Sequence, residues 1–425
     1  MMDKIETWVG KTYLLLVFLI PVIPQSNTMD VVGLQWLVFS VINLLTIAII
    51  IPRITFSKKP TIIITLWGVF IFFAILSTTY SINFSLGLQD VSRWGQILIG
   101  MVLLNYFLKK NRLSFMYITN VVIGILFIET VYILIPLFIS LYVNGFETEV
   151  VLNPGLFNGL TGNKNIAAAS VMIKLPFVLY KLKHLNTKNS LMAVVLIVLS
   201  ILSVLFIAAR ASYISLLLTT TVFIIGGLLY INGSYKNKIV FYFVPVVLAY
   251  IIGFTLGNKF IKSGSASSLT NKVESISFTR EGSSGRTLLW SDAISFIKDH
   301  PLIGGGIGSW KIESAPYWNI HGTQYLVPYH AHNDFLEITA ELGIFGGLLY
   351  VFIFVRLIYI LILRTKLYNS ENSLFYFLCL ASLGTYIIDA SLNFPMERYI
   401  MQIMICLLFS VGAFLESKNE NEKSN

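Results

Sequence analysis

The sequence predicts an all-α, polytopic integral membrane protein of about twelve transmembrane helices, with one large extracytoplasmic loop between spans 9 and 10. Three observations carry this. Of the 425 residues 56% are hydrophobic and only 12% charged, where a soluble domain carries roughly 25% charged residues. Many apolar runs approach the ~20 residues that a helix needs to cross a bilayer. They are continuous rather than alternating, which favours helices over an outer-membrane barrel. Lastly, basic residues crowd into every second connection.

Taken in order, the predicted spans are 8–24, 31–51, 61–77, 91–108, 115–141, 165–181, 190–208, 211–230, 239–257, 338–363, 373–391 and 399–415. The first follows Lys4 and Lys11. It lacks a small-residue cleavage site and runs into Pro21 and Pro24, so it reads as an uncleaved span rather than a signal peptide. The run 190–230 is divided at Ala208–Ser212, because an unbroken helix of that length would reach about 60 Å. Cys379 and Cys406 lie in apolar runs and read as small buried hydrophobes, with no disulfide framework. The chain divides into an N-terminal bundle (1–257), the loop (258–337) and a C-terminal bundle with a tail (338–425).

One set of alternate connections holds seventeen Lys and Arg residues, from Lys4 and Lys11 to Lys418 and Lys423. The short connections of the other set hold four: Arg93, Lys164, Arg210 and Arg398. The positive-inside rule puts the first set, and both termini, in the cytoplasm. The net charge of +9 is then a matter of topology, and no nucleic-acid partner is expected. The four outer cations oppose that rule at the ends of apolar helices, where a charge is costly and is either paired or functional. Structural pairing (Asp90 with Arg93, Glu397 with Arg398) is one reading, and a shared anionic site is the other. Within the apolar runs, Glu129 and Lys174 are expected to pair inside the bundle, and Arg356 to snorkel to the cytoplasmic face.

Polar character concentrates in the outer loop. Residues 287–299 place Leu288, Leu289, Ala293, Ile294, Phe296 and Ile297 at helical spacing, which predicts an amphipathic helix on the outer surface or across the bundle mouth, with Trp290 suited to the membrane interface. His300-Pro301 ends it. Gly304–Gly306 is neither a P-loop nor a dinucleotide fingerprint, since no Lys-Ser/Thr follows and Ser309 stands at the third glycine position. Close backbone packing explains these glycines better. Four of the five histidines lie in this region: His300, His321, His330 and His332. His330 and His332 with Asp334 have the donor types of a metal site, but HxH alone is a weak signal, and no metal is expected. A histidine held at a helix start as a general base is the alternative, because imidazole exchanges a proton near neutral pH. Asn333 or Asp334 suits the N-cap of the following helix. Earlier in the chain, a helix starting near Asn165 offers N–H groups to an anion, with Lys164 beside it; an ordinary capped turn is the competing reading.

These segments together resemble the bacterial O-antigen ligase and polymerase superfamily. The resemblance rests on Arg286 and Trp290, Pro301-Leu302 with Gly304–Gly306, His330-Ala331-His332-Asn333, and Glu341-Leu342-Gly343-Ile344-Phe345-Gly346. Ala209-Arg210-Ala211-Ser212 and Gly162-Asn163-Lys164-Asn165 are similar to two further family stretches, with Ala209 where serine is usual and Lys164 where proline is common. The resemblance implies a multi-pass enzyme of the bacterial inner membrane whose active site faces the periplasm or exterior. It implies metal-independent, inverting transfer of a glycan from an undecaprenyl-diphosphate carrier to an acceptor hydroxyl on a glycolipid or glycan. By motif position, Arg210 and Arg286 would hold the diphosphate and His332 would act on the acceptor hydroxyl. Arg93, Lys164, Asn165, His330, Asn333 and Arg398 are expected to line the substrate site. Ligase is the first reading and polymerase of lipid-linked repeat units the second. A lipid-linked oligosaccharide flippase is the rival from another class, but it should show inverted repeats with interrupted helices at the midplane, and the sequence shows neither.

Overall fold

The computed structural model describes residues 2–23, 30–53, 60–144, 156–184, 190–230, 240, 243–260, 285–318, 329–365 and 372–424. The side chains of residues 2, 53, 144, 210, 211, 257–260, 318 and 419–424 are outside that set. The regular structure among the described residues is helical, with no strand. In chain order the helices are α1 (Met2–Leu19), α2 (Val31–Ile50), α3 (Ile62–Ser77), α4 (Phe84–Lys109), α5 (Phe115–Asn144), α6 (Lys164–Lys174), α7 (Phe177–Lys183), α8 (Ser190–Ile207), α9 (Arg210–Tyr230), α10 (Val244–Phe260), α11 (Arg286–Asp299), α12 (Trp310–Trp318), α13 (Asp334–Thr365), α14 (Ser373–Leu392) and α15 (Tyr399–Ser424).

The chain is thus an all-α, multi-pass membrane protein. Among the described residues ten helical stretches are long and apolar enough to cross a membrane, and two shorter apolar ones lie in α3 and α10. Each predicted span falls on one of these. Two differ in detail, for local reasons. The predicted span 165–181 is interrupted between α6 and α7 at Leu175-Pro176, because proline supplies no N–H to the ladder and its ring crowds the preceding turn. The long run 190–230 does break as expected: α8 ends at Ile207, α9 begins at Arg210, and Ala208 takes φ +53° between them. The predicted span 338–363 starts earlier, at Asp334, with Asn333 as its N-cap; the Asn333 Oδ1 accepts from the backbone N–H of Phe335 and Leu336, both at 3.1 Å. It is also kinked at Gly343, where φ is +68°.

The core is one apolar cluster threaded by α15, nearly all of whose apolar stretch is buried. Tyr399 of α15 packs edge-on against Trp36 and Phe39 of α2, while Phe409 meets Trp67 of α3 and Phe354 of α13. Glu129 and Lys174 pair inside the bundle as expected, with Lys174 Nζ 2.9 Å from a Glu129 oxygen and both residues buried. Arg356 does not simply snorkel; its Nε donates to Glu416 at 2.8 Å.

Candidate active site

The glycine turn ties together one end of the bundle, and its backbone explains the glycines. The first segment of α13, 334–342, ends with carbonyls that have no partner in its own helix. Gly305 N–H donates to the Ala340 carbonyl at 3.0 Å and Gly306 N–H to that of Glu341 at 2.8 Å. In return, Ile344 N–H donates to Pro301 at 2.9 Å. The chains are so close that a Cβ on Gly343 would fall 2.0 Å from the Leu302 oxygen, and one on Gly304 2.4 Å from that of Ala340. The other face of the turn is tied to the α3–α4 connection: Ser77 Oγ accepts from Ile307 N–H at 3.1 Å, and the Ser81 and Tyr80 hydroxyls donate to the carbonyls of Ile307 and Ile303.

The amphipathic helix forms as predicted but lies against this structure. Leu289, Ala293 and Phe296 of α11 are buried, the last two packing with Trp310, Ala331 and Ala340. Ile294, predicted on the apolar face, is exposed. Trp290 does not serve as a membrane anchor: its Nε1–H points inward and donates to the His332 carbonyl at 3.4 Å. That contact joins the helix bearing Arg286 to the histidine loop.

Within the loop, Glu337 reaches back one turn from α13. One of its oxygens accepts from Ala331 N–H at 2.8 Å and the other faces His330 Nδ1 at 3.1 Å. The His330 ring stacks on Phe394 with centroids 4.2 Å apart. His332 meets the same ring edge-on at 5.0 Å. His332 takes φ +54°, a conformation unusual for a non-glycine residue, and its buried Nδ1 has no hydrogen-bond partner among the described residues.

The two histidines are electrostatic opposites. Burial opposes a charged His330, but Glu337 and Glu397 outweigh it and raise its pKa. Burial depresses His332, assisted by the positive charge of Arg286 and then by His330, and pushes its pKa down to about 4. His332 is therefore a neutral imidazole at neutral pH.

Glu397, in the α14–α15 connection, gathers charges from three other segments. It lies 2.6 Å from Lys311 Nζ, 3.7 Å from His330 Nε2 and 3.9 Å from an Arg93 nitrogen. Despite burial, His330, Lys311 and Arg93 hold its carboxyl below the usual range. Arg93 also pairs with Asp90 at 3.2 Å, as expected. The expected Glu397–Arg398 pair does not form. The Arg398 guanidinium lies over Phe394 at 5.2 Å, and its buried Nε has no partner among the described residues. Arg398 instead lines a small cleft with Leu160 and Thr161, which brings the 158–163 turn to the same end.

Beyond that turn the expected anion site at α6 is a capped turn. Asn163 Oδ1 already accepts from Asn165 N–H at 2.9 Å and Ile166 N–H at 3.4 Å. Lys164 and Asn165 are half-buried there, one turn from the Arg398 cleft rather than in the histidine cluster. Arg210 opens α9, but its side chain lies outside the described residues, as does His321. Arg286 NH2 donates to Asn393 Oδ1 at 2.9 Å, and Asn393 Nδ2 in turn to Asp389 Oδ1 at 2.5 Å. So Arg286, His330, His332, Asn333 and Arg93 come together, with Arg398 at the margin. Asn393, Asp389, Lys311 and Glu337 are the residues that sequence reasoning passed over, and Glu397 was considered only as a partner for Arg398. Glu397, next to Arg398, and Glu337, one helical turn after Asp334, were the available signal.

Fold and site define a multi-pass membrane protein with a charged, histidine-bearing site assembled from the connections at one end. A family model described as O-antigen ligase matches residues 193–351, a stretch that includes Arg210, Arg286, the glycine turn, the histidine loop and the α13 kink. Over these residues the chain is similar to the O-antigen ligase family. No curated protein matches it.

Proposed function

We propose that the protein is a glycosyltransferase of the bacterial inner membrane that moves a glycan from undecaprenyl diphosphate to an acceptor hydroxyl, in the manner of an O-antigen ligase. The observation that carries this is the Trp290–His332 contact: it sets a neutral, half-buried imidazole beside a helix that starts with an arginine, which is the pairing that a phosphate leaving group and a hydroxyl nucleophile require.

In this reading both termini are cytoplasmic and the site opens to the periplasm or exterior. Arg286 and Arg210 bind the diphosphate, with Arg93 and Arg398 adding positive potential and Lys164 with Asn165 lying at the edge. The acceptor oxygen attacks the anomeric carbon from the face opposite the diphosphate. The new C–O bond forms as the bond to the diphosphate oxygen breaks, and the configuration inverts. His332 takes the hydroxyl proton, and the arginines stabilise the charge left on undecaprenyl diphosphate. Imidazole with a pKa of about 4 is a weak base. Anion binding at Arg286 offsets a charge that depresses it, so donor binding raises the basicity of His332 as the site fills. His330 and Asn333 hold the loop in place.

The test is a chromosomal replacement. The gene is deleted and complemented with wild type, His332→Ala, Arg286→Ala or Arg210→Ala; membrane levels are checked and surface glycolipids run on a gel. Full-length lipid-linked polymer that fails to reach its acceptor, in the deletion and in all three variants, is the expected result. Accumulation of single repeat units would instead mark a polymerase. Wild-type profiles from stable variants would overturn the assignment of these residues.

A further inference from the structure

A cavity of about 650 Å³ lies between α5, α7 and α8, at the end of the bundle opposite the histidine loop. Its walls are apolar: Ile123 and Phe127 from α5, Val178 from α7, and Leu191, Val195 and Leu199 from α8. Gly124 leaves it open, since an added Cβ would meet no atom within 4 Å. Phe127 and Leu191 are exposed, so in a bilayer the slot opens sideways into lipid. Two polar residues line it, Asn120 and Lys181, with Lys181 Nζ donating to Asn120 Oδ1 at 2.7 Å. The described carboxylates of this end are already engaged: Asp3 and Glu6 by Arg112, and Glu416 by Arg356. Among the described residues Lys181 pairs with no carboxylate, nor does nearby Lys11, which lies over Tyr117.

An apolar slot with an uncompensated ammonium at its mouth complements an amphiphile with an acyl chain and a negative head. We propose that this groove binds an anionic phospholipid, with an acyl chain against α5 and α8 and the phosphate on Lys181 and the Asn120 amide. The inference is independent of the glycan-transfer reading.

The test uses the purified full chain in detergent, titrated with phosphatidylglycerol or phosphatidylcholine and followed by native mass spectrometry. Wild type should retain phosphatidylglycerol in preference to phosphatidylcholine. Lys181→Gln should cut phosphatidylglycerol retention roughly fivefold, the worth of one lysine near a charged headgroup, and leave phosphatidylcholine unchanged. Lys298→Gln, at the opposite end, should change nothing. Gly124→Leu fills the slot, improves helix propensity, and should lose both lipids. Equal retention of the two lipids by wild type would overturn the proposal, as would a Lys181→Gln variant that keeps its preference. So would displacement of phosphatidylglycerol by equimolar undecaprenyl phosphate, which would give the groove to the carrier's tail. If Gly124→Leu unfolds, the lysine pair decides alone.

Discussion

Two of the charge clusters among the described residues are built differently. In the bundle interior Lys174 is saturated: Nζ lies 2.9 and 3.1 Å from the two Glu129 oxygens and donates to Ser170 Oγ and the Ser170 carbonyl at 2.6 and 3.0 Å. Ser170 closes the ring by donating to Glu129 at 3.1 Å. Only Glu129 Oε1 accepts no hydrogen bond among the described residues, and it faces the ammonium itself at 2.9 Å, so the two charges answer each other. In the histidine cluster Glu397 is shared among Lys311, His330 and Arg93, and the rim carries buried atoms without a hydrogen-bond partner among the described residues: His332 Nδ1, Arg398 Nε, Asp334 Oδ1 and Asp389 Oδ2. Buried polar atoms are normally satisfied, and each exception asks for a cause. One cluster holds helices together; the other keeps capacity for something that arrives.

The sharpest way to break the comparison is at the closed cluster. Lys174→Met should strip a buried carboxylate of its partner at a cost of about 3–5 kcal/mol, read as a large loss of thermal stability in detergent. Adding Glu129→Leu should restore most of it, since a buried pair is replaced well by apolar side chains. Both effects should leave glycan transfer per folded molecule unchanged. At the open end Gly343→Ala should cost about 2–3 kcal/mol through its positive φ and close approach to Leu302, and should lower transfer as well, because the kink holds the glycine turn against the histidine loop.

The histidines sharpen the comparison through pH. His330 has a raised pKa, so its contribution to stability is full below its ordinary pKa and fades as pH rises through the folded value. His332 has a lowered pKa, so stability is lost as pH falls from its ordinary value toward about 4, where the unfolded chain binds the proton more readily. His330→Gln should flatten the alkaline limb of a stability–pH curve, and His332→Ala the acid limb. The smallest effect is expected at the other end. Arg112→Ala removes partly exposed pairs with Asp3 and Glu6 and should cost under about 1 kcal/mol.

Much of the fold was legible because a bilayer imposes a one-dimensional rule. Hydropathy located the ten long apolar helices and the two shorter ones among the described residues, and the break at Ala208-Ala209 was visible as the interruption in a run too long for one span. The glycines at 304–306 were readable too, since without P-loop or fingerprint spacing only close packing remained. What the sequence concealed was pairing across long separations. Arg398 follows Glu397 in the chain, yet Glu397 turns to Lys311, 86 residues away, and to His330. Trp290 reads as a membrane anchor by composition, but its indole N–H is directed by the docking of α11. Asn393 and Asp389, at the end of an apolar helix, gave no sign of reaching Arg286 until the fold brought α11 above them.

The central claim is that the open cluster performs glycan transfer and the closed one does not. The most direct measurement is transfer by the purified protein in proteoliposomes, with an undecaprenyl-diphosphate-linked glycan as donor and the cell's own glycolipid as acceptor. His332→Ala and Arg286→Ala should each lower the rate on the order of a hundredfold or more while melting like wild type, and the Glu129→Leu/Lys174→Met double variant should retain the wild-type rate. Near-normal transfer by folded His332→Ala and Arg286→Ala, or its loss only in the double variant, would contradict the account.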